Sequence, residues 1–136
     1  MQIRLIHTQV IDLHFGLVER IDDKNEETEM VFNLDFKVLF SENKEDEFHL
    51  VFESEIKKPE AFDLSIKYLA VFKTSEEIDD EFENSHFPYV NAPAITFPFL
   101  RSFISTLMIN AGYPPVILPS INFTTFKRES RASQED

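Results

Sequence analysis

Residues 91–112 read NAPAITFPFLRSFISTLMINAG, and this stretch decides the fold. From Phe97 onward, Phe99, Leu100, Phe103, Ile104, Leu107, Met108, Ile109 and Ala111 make a helix that is apolar on most sides, with Arg101 as its only charge. Such a helix is buried on more than one face. Its limits are marked in the residues. Asn91 suits an N-cap, Pro93 a first turn, and Gly112 the position just past the end. Pro98 has no N–H to give to a helical hydrogen bond, so the regular helix is expected from about Phe97.

Upstream, four stretches read as strands. Residues 30–40 place Phe32, Leu34, Phe36, Val38 and Phe40 on one face, and Asn33, Asp35 and Lys37 on the other. Residues 48–57 repeat the pattern with Phe48, Leu50, Phe52 and Ile56. Residues 62–73 repeat it with Phe62, Leu64, Ile66, Tyr68, Ala70 and Phe72. In the first strand, Ile3 to about Phe15, the alternation slips between phases, which points to a bulge or to burial on both faces. The run SENKEDE and the Pro59-containing KKPEA suit hairpin turns. Gly16 to Glu29 is long and becomes acidic, as a crossover would. Residues 76–83, EEIDDEFE, read as a solvated acidic linker. The fold class is therefore α+β, an antiparallel four-stranded sheet followed by one long helix and a short C-terminal extension. Residues 1–126 form a single domain and 127–136 a polar, flexible tail.

Four strands make a sheet roughly 19 Å wide, and one helix covers about half of that. The uncovered phenylalanines and the outer side of the helix both call for a partner surface. A homo-oligomer is expected, with Phe103 and Leu107 at its interface. The polar stripe of Ser102, Ser105, Thr106 and Asn110 allows close helix approach there.

Composition excludes much. Cysteine is absent from the 136 residues, which removes disulfides, thiolate metal sites and a Cys nucleophile. Two glycines leave no Gly-rich phosphate loop. A net charge of −12 repels nucleic acid. No segment reaches the roughly 18 apolar residues of a membrane span, so no membrane insertion is expected. The N-terminus carries His7, Asp12 and His14 among its apolar residues and does not read as a signal peptide, so the expected location is the cytoplasm. His7 and His14 face opposite sides of a regular strand. Glu53 and Glu55 read as a solvated strand face. No G-x-S-x-G elbow is present. Neither a catalytic site, a metal site nor a cofactor is indicated. A small-ligand-binding domain with a Phe-lined cavity is the competing class.

Three motifs in order carry a resemblance: AP-A-I-x-FPF-x-R at Ala92 to Arg101, GYPP at Gly112 to Pro115, and L-x-x-INF at Leu118 to Phe123. Together they resemble the C-terminal half of the SecB protein-export chaperone family, and QIRLIHTQVIDLHF is similar to the family's first strand. The resemblance implies a strand order of 1-4-3-2 with a crossover from the first strand to the second. It implies a dimer of dimers with helices between two eight-stranded sheets, and ATP-independent binding of unfolded polypeptide clients. The groove residues it points to flank the helix: Phe87, Tyr89, Phe123 and Phe126. The family continues into a second helix, whereas TTFKRESRASQED here is poor in apolar residues, so weak or absent binding to the translocation ATPase SecA is expected. Family members that hold an antitoxin of a toxin–antitoxin system are the alternative.

Overall fold

The computed structural model describes residues 1–18 and 29–126. The tail at 127–136 and most of the crossover lie outside the described residues. Strands β1 (Ile3–Leu17), β2 (Val31–Phe40), β3 (Glu47–Lys58) and β4 (Phe62–Thr74) form one antiparallel sheet in the order β1-β4-β3-β2. This is the expected order. It sets β1 and β2 at opposite edges, so the connection between them must cross the sheet.

The alternation of β2, β3 and β4 becomes one buried face. Phe36 of β2, Phe48, Leu50, Phe52 and Ile56 of β3, and Phe62, Leu64, Ile66, Tyr68, Ala70 and Phe72 of β4 form the core with the helix. The slip in β1 resolves into two register shifts, between Leu5 and His7 and between Val10 and Asp12. Each shift leaves one residue, Ile6 or Ile11, exposed and out of the count. With both removed, Ile3, Leu5, Val10, Leu13 and Phe15 all oppose core-facing residues of β4.

After β4 comes a short helix α1 (Asp80–Glu83), a widened π-helical turn (Phe87–Asn91), and α2 (Ala92–Asn110). Two expectations are corrected here. The acidic run is not only a solvated linker: Asp79 caps α1 by accepting the Phe82 N–H at 2.8 Å, and Phe82 packs into the core at 4% exposure. The long helix also starts before Phe97. Asn91 has helical dihedrals and its side chain caps nothing. The cause is the wide turn, in which the Ala92 N–H reaches back to the Phe87 carbonyl. That spacing makes room for the ring of Pro93, which a tight α-turn would drive against the carbonyl four residues earlier. Pro98 then sits inside the helix on an exposed position.

At its far end α2 stops as its glycine requires. Gly112 has φ 91°, its N–H reaches the Ile109 carbonyl at 3.1 Å, and the Tyr113 N–H reaches the Met108 carbonyl at 2.9 Å. These paired bonds are the Schellman arrangement. One face of α2 is buried: Ala92, Pro93, Thr96, Phe97, Leu100, Ile104 and Met108, a four-residue stripe. The helical run Asp80–Asn110 reaches membrane-spanning length and contains an 18-residue window with a mean hydropathy of 1.3, contrary to the sequence expectation. It reaches that length because helix begins well before the apolar stretch. Its buried stripe packs on the chain's own sheet, as in the core helix of a folded domain.

Glu60, in the turn between β3 and β4, has φ 66°. A side chain there is strained, and glycine relieves the strain. Glu60→Gly is expected to be neutral to stabilising, by up to about 1 kcal/mol. Thermal unfolding at fixed concentration checks this, and a lowered midpoint contradicts it.

Candidate functional site

The chain after Gly112 turns back across the same face of the sheet. Tyr113 meets Phe15 at 5.9 Å and Phe62 at 5.7 Å, at one end of β1 and β4. The following segment lies along α2, where the Ser105 hydroxyl donates to the Val116 carbonyl at 2.8 Å. Val116 and Leu118 are buried, while Ile117 between them is 80% exposed. Pro98, Arg101, Ser102, Ser105 and residues 116–118 enclose a groove of about 350 Å³. A final helical turn, residues 123–126, then sets two aromatic rings over β2 and β3.

Those rings complete an aromatic cluster. Phe123 lies 6.2 Å from Phe36, 6.0 Å from Phe52, 5.7 Å from Phe97 and 5.8 Å from Phe126. Phe126 stacks on Phe36 at 5.4 Å. Arg101 lies over the Phe97 ring at 5.8 Å. Further along β3 is a second group. Phe48 stacks on Phe72 at 5.2 Å and meets Phe82 at 5.5 Å, and Phe82 stacks on Phe87 at 5.7 Å. Phe48 and Phe52 are four residues apart on one strand face, about 13 Å. Leu50 on β3 fills the interval.

The expected groove residues therefore occupy two ends of one apolar track and make no single pocket. Phe87 belongs to the Phe48 end and Phe123 and Phe126 to the Phe52 end, while Tyr89, two residues after Phe87 in the wide turn between α1 and α2, packs against the core. Phe87, Tyr89 and Phe126 are half-buried, so each keeps an accessible edge. Phe123 is 4% exposed and serves the core of this chain. Phe82 was missed because it sits among acids. The signal for it was Asp79 three residues earlier, an N-cap spacing.

The interface candidates divide as well. Ser102, Thr106 and Asn110 are exposed, while Phe103 and Leu107 are half-buried and Phe103 lies 6.2 Å from the ring of Tyr68 on the same chain. The exposed side of α2 carries Ile95, Phe99 and Ile109 with Ser102 and Thr106, an apolar stripe that sequence reasoning did not single out.

The opposite face of the sheet is mixed: Val31, Leu39, Val51, Leu69 and Val71 share it with charged residues. Lys37 pairs with Glu53 at 3.2 Å. Glu47 accepts from Lys44 at 3.1 Å and lies 3.1 Å from the His49 ring. The Lys44 bond first, then that of His49, hold the Glu47 carboxyl below its usual range. The two bulges bring His7 and His14 onto one face after all, opposite Val71 and Ser65. Six strand positions, about 20 Å, still separate them. Among the described residues no group of His, Asp and Glu forms a metal site.

The chain matches the family model described as preprotein translocase subunit SecB over residues 2–134. It belongs to the SecB family. Curated relatives include the protein-export protein SecB of Anaplasma phagocytophilum, 37% identical over 62% of this chain and 54% of its own length. The SecB of Roseobacter denitrificans is 28% identical over 83% of this chain and 69% of its own. An uncharacterized protein of Methanocaldococcus jannaschii is 32% identical over 78% and 70%. The match thus spans about half the length of the Anaplasma SecB. Among solved structures, the SecB-like chaperone Rv1957 of Mycobacterium tuberculosis, in complex with a ChAD peptide from the HigA1 antitoxin, shares the fold. Its TM-score is 0.66 at 11% identity, covering 88% of this chain and 87% of that one.

Proposed function

We propose that this SecB-family chain is an ATP-independent chaperone of protein export, which holds unfolded polypeptide on its aromatic track. The carrying observation is the track itself: half-buried Phe87 stacks on buried Phe82, half-buried Phe126 stacks on Phe36, and half-buried Tyr89 packs against the same core. Such rings offer apolar contact without having to order themselves first. Each large apolar side chain buried against them contributes about 1.5–3 kcal/mol. Roughly three to five, less the cost of ordering a flexible client, give micromolar affinity per stretch. The chain performs no catalysis in this reading and binds no cofactor. It works in the cytoplasm as a homotetramer, a dimer of dimers, whose several grooves raise the effective concentration for one client. Phe103, Leu107, Ser102, Thr106 and Asn110 lie at or beside the helix interface.

The test is suppression of aggregation of a chemically unfolded, slow-folding protein at near-stoichiometric ratio without ATP. Suppression for several unrelated clients is expected. Phe87→Ser with Tyr89→Ser is expected to lower it at unchanged oligomeric state. Full activity in that double variant removes this end of the track from the groove.

A second reading is favoured by one observation. One solved structure of the same fold is a SecB-like chaperone in complex with an antitoxin peptide. In that reading a single antitoxin is the client. Holdase failure with unrelated proteins, together with tight binding of an antitoxin encoded beside the chain, selects it. Saturable binding to SecA selects the export role.

A further inference from the structure

The turn that opens the long helical run is one residue wider than the turns that follow. Its Ala92 N–H donates to the Phe87 carbonyl, five residues back, where an α-helix spans four. Such turns are rare and gather at functional sites. A proline does not by itself impose one. Pro98 lies inside α2 on an exposed position, and the helix around it stays α. There the carbonyl ahead of the ring can tilt outward to water. Pro93 is buried. In an α-turn its ring would meet the Tyr89 carbonyl, and it has no N–H to offer that carbonyl. On the buried side the turn opens instead.

The width of the turn fixes where Phe87 points. Five residues of a wide turn cover nearly the angle of four residues of α-helix. Closing the turn to α geometry would carry Phe87 about 100° round the helix axis. As it stands, Phe87 stacks on Phe82 at 5.7 Å with the rings 13° from parallel. Its N–H donates to Ser85 Oγ at 3.2 Å, and that hydroxyl donates to the Phe82 carbonyl at 2.6 Å. The chain just upstream is pinned to the sheet: Phe82 meets Phe48 at 5.5 Å, and the Ile78 N–H donates to the Glu45 carbonyl at 2.7 Å. The chain downstream is pinned by the buried stripe of α2. Between two fixed ends, the angle of this one turn decides whether Phe87 reaches the aromatic track.

We propose that Pro93 is a positioning residue of that track, holding the first turn wide so that Phe87 is aimed at Phe82. The inference rests on the client-holding function proposed above, in which Phe87 is one of the accessible rings. Pro93 itself touches no client. It acts through the phase of the turn.

The test compares the full chain with Pro93→Ala, and with Pro93→Ala from which Asn91 is also removed. Asn91 is exposed and its side chain caps nothing. Without the proline ring the turn closes and swings Phe87 off Phe82. With one residue fewer, a closed turn returns Phe87 to its place. Aromatic NMR reads the ring-current shift of the Phe87 protons over Phe82. Fluorescence anisotropy reads binding of a labelled, reduced and carboxymethylated protein that cannot refold. Circular dichroism and light scattering verify fold and mass. Pro93→Ala is expected to lose the shift and to bind about tenfold more weakly, as one apolar contact is lost. The shortened variant is expected to recover the shift and, to within about twofold, the affinity. An unchanged shift in Pro93→Ala means the turn stays wide without the ring, and overturns the assignment. Losses that removing Asn91 does not restore trace to the missing ring and not to the phase, and overturn it too. So does a shift that moves while affinity stays constant. Absence of binding by the unaltered chain overturns the proposed function itself, a failure that the ring-shift series tells apart from a failure of Pro93 to set the turn.

Discussion

Replacing Phe52 with alanine is expected to cost about 3–5 kcal/mol of folding free energy, the range for emptying a buried aromatic site. Phe52 is fully buried and its ring meets three others: Phe36 at 5.9 Å, Phe97 at 6.0 Å and Phe123 at 6.0 Å. Those neighbours belong to β2, to α2 and to the C-terminal turn. One side chain thus joins the sheet to both layers above it. Domains of this size have about 5–15 kcal/mol in total, so the loss removes a large part of the margin. Urea unfolding at fixed protein concentration measures it, the concentration being held because the proposed assembly would contribute to apparent stability. Phe126→Ala is the comparison. That ring is half-buried at the edge of the cluster and its loss is expected to cost about 1–2 kcal/mol. Equal costs for the two variants would show that Phe52 is not the joint between layers.

Phe99→Asp is expected to break the proposed assembly while leaving the subunit folded. Phe99 is 51% exposed on the outer side of α2, in line with Ile95 and Ile109. A carboxylate costs the isolated chain little there, but costs several kcal/mol once a second copy covers it. Each 1.4 kcal/mol is a tenfold change, so the dissociation constant should rise by about two orders of magnitude or more. Light scattering across a dilution series reads the mass, and circular dichroism verifies the fold. An unchanged mass means the copies do not meet through this stripe. Leu107→Asp is a less clean probe. Leu107 is half-buried against its own core, so the subunit is damaged along with the interface.

What was legible in the sequence was mostly what local physics dictates. The period-two pattern of Phe32 to Phe40, Phe48 to Ile56 and Phe62 to Phe72 marked three strands to within a residue or two. Gly112 marked the helix end because only a residue free of Cβ strain takes its φ comfortably. The slip in β1 was visible, but its resolution into bulges at Ile6 and Ile11 depended on the register of β4. The helix start was misplaced because Pro98 was read as the limit of regular helix, whereas α2 carries it inside, on an exposed position. Phe82 was hidden by its acidic neighbours. The site was less legible than the fold. Phe123 and Phe126 are equally apolar in sequence, and only the packing of residues 113–126 onto β2 and β3 separates a core ring from an accessible one.

The segment between the end of α2 and that last helical turn has a further consequence. Among the described residues, 114–122 make no backbone–backbone hydrogen bond through their own N–H groups, and Ser105 supplies the one side-chain bond to their backbone from elsewhere in the fold. Their apolar anchors are Val116, Leu118 and Ile121. Amide exchange and side-chain packing should therefore part company here. The amides of this stretch should swap their protons for deuterium almost as fast as in a free peptide, while those of β3 and β4 exchange only on deep unfolding. A covering held by oily contact and scarcely by the backbone can be peeled away without first dismantling a hydrogen-bonded ladder.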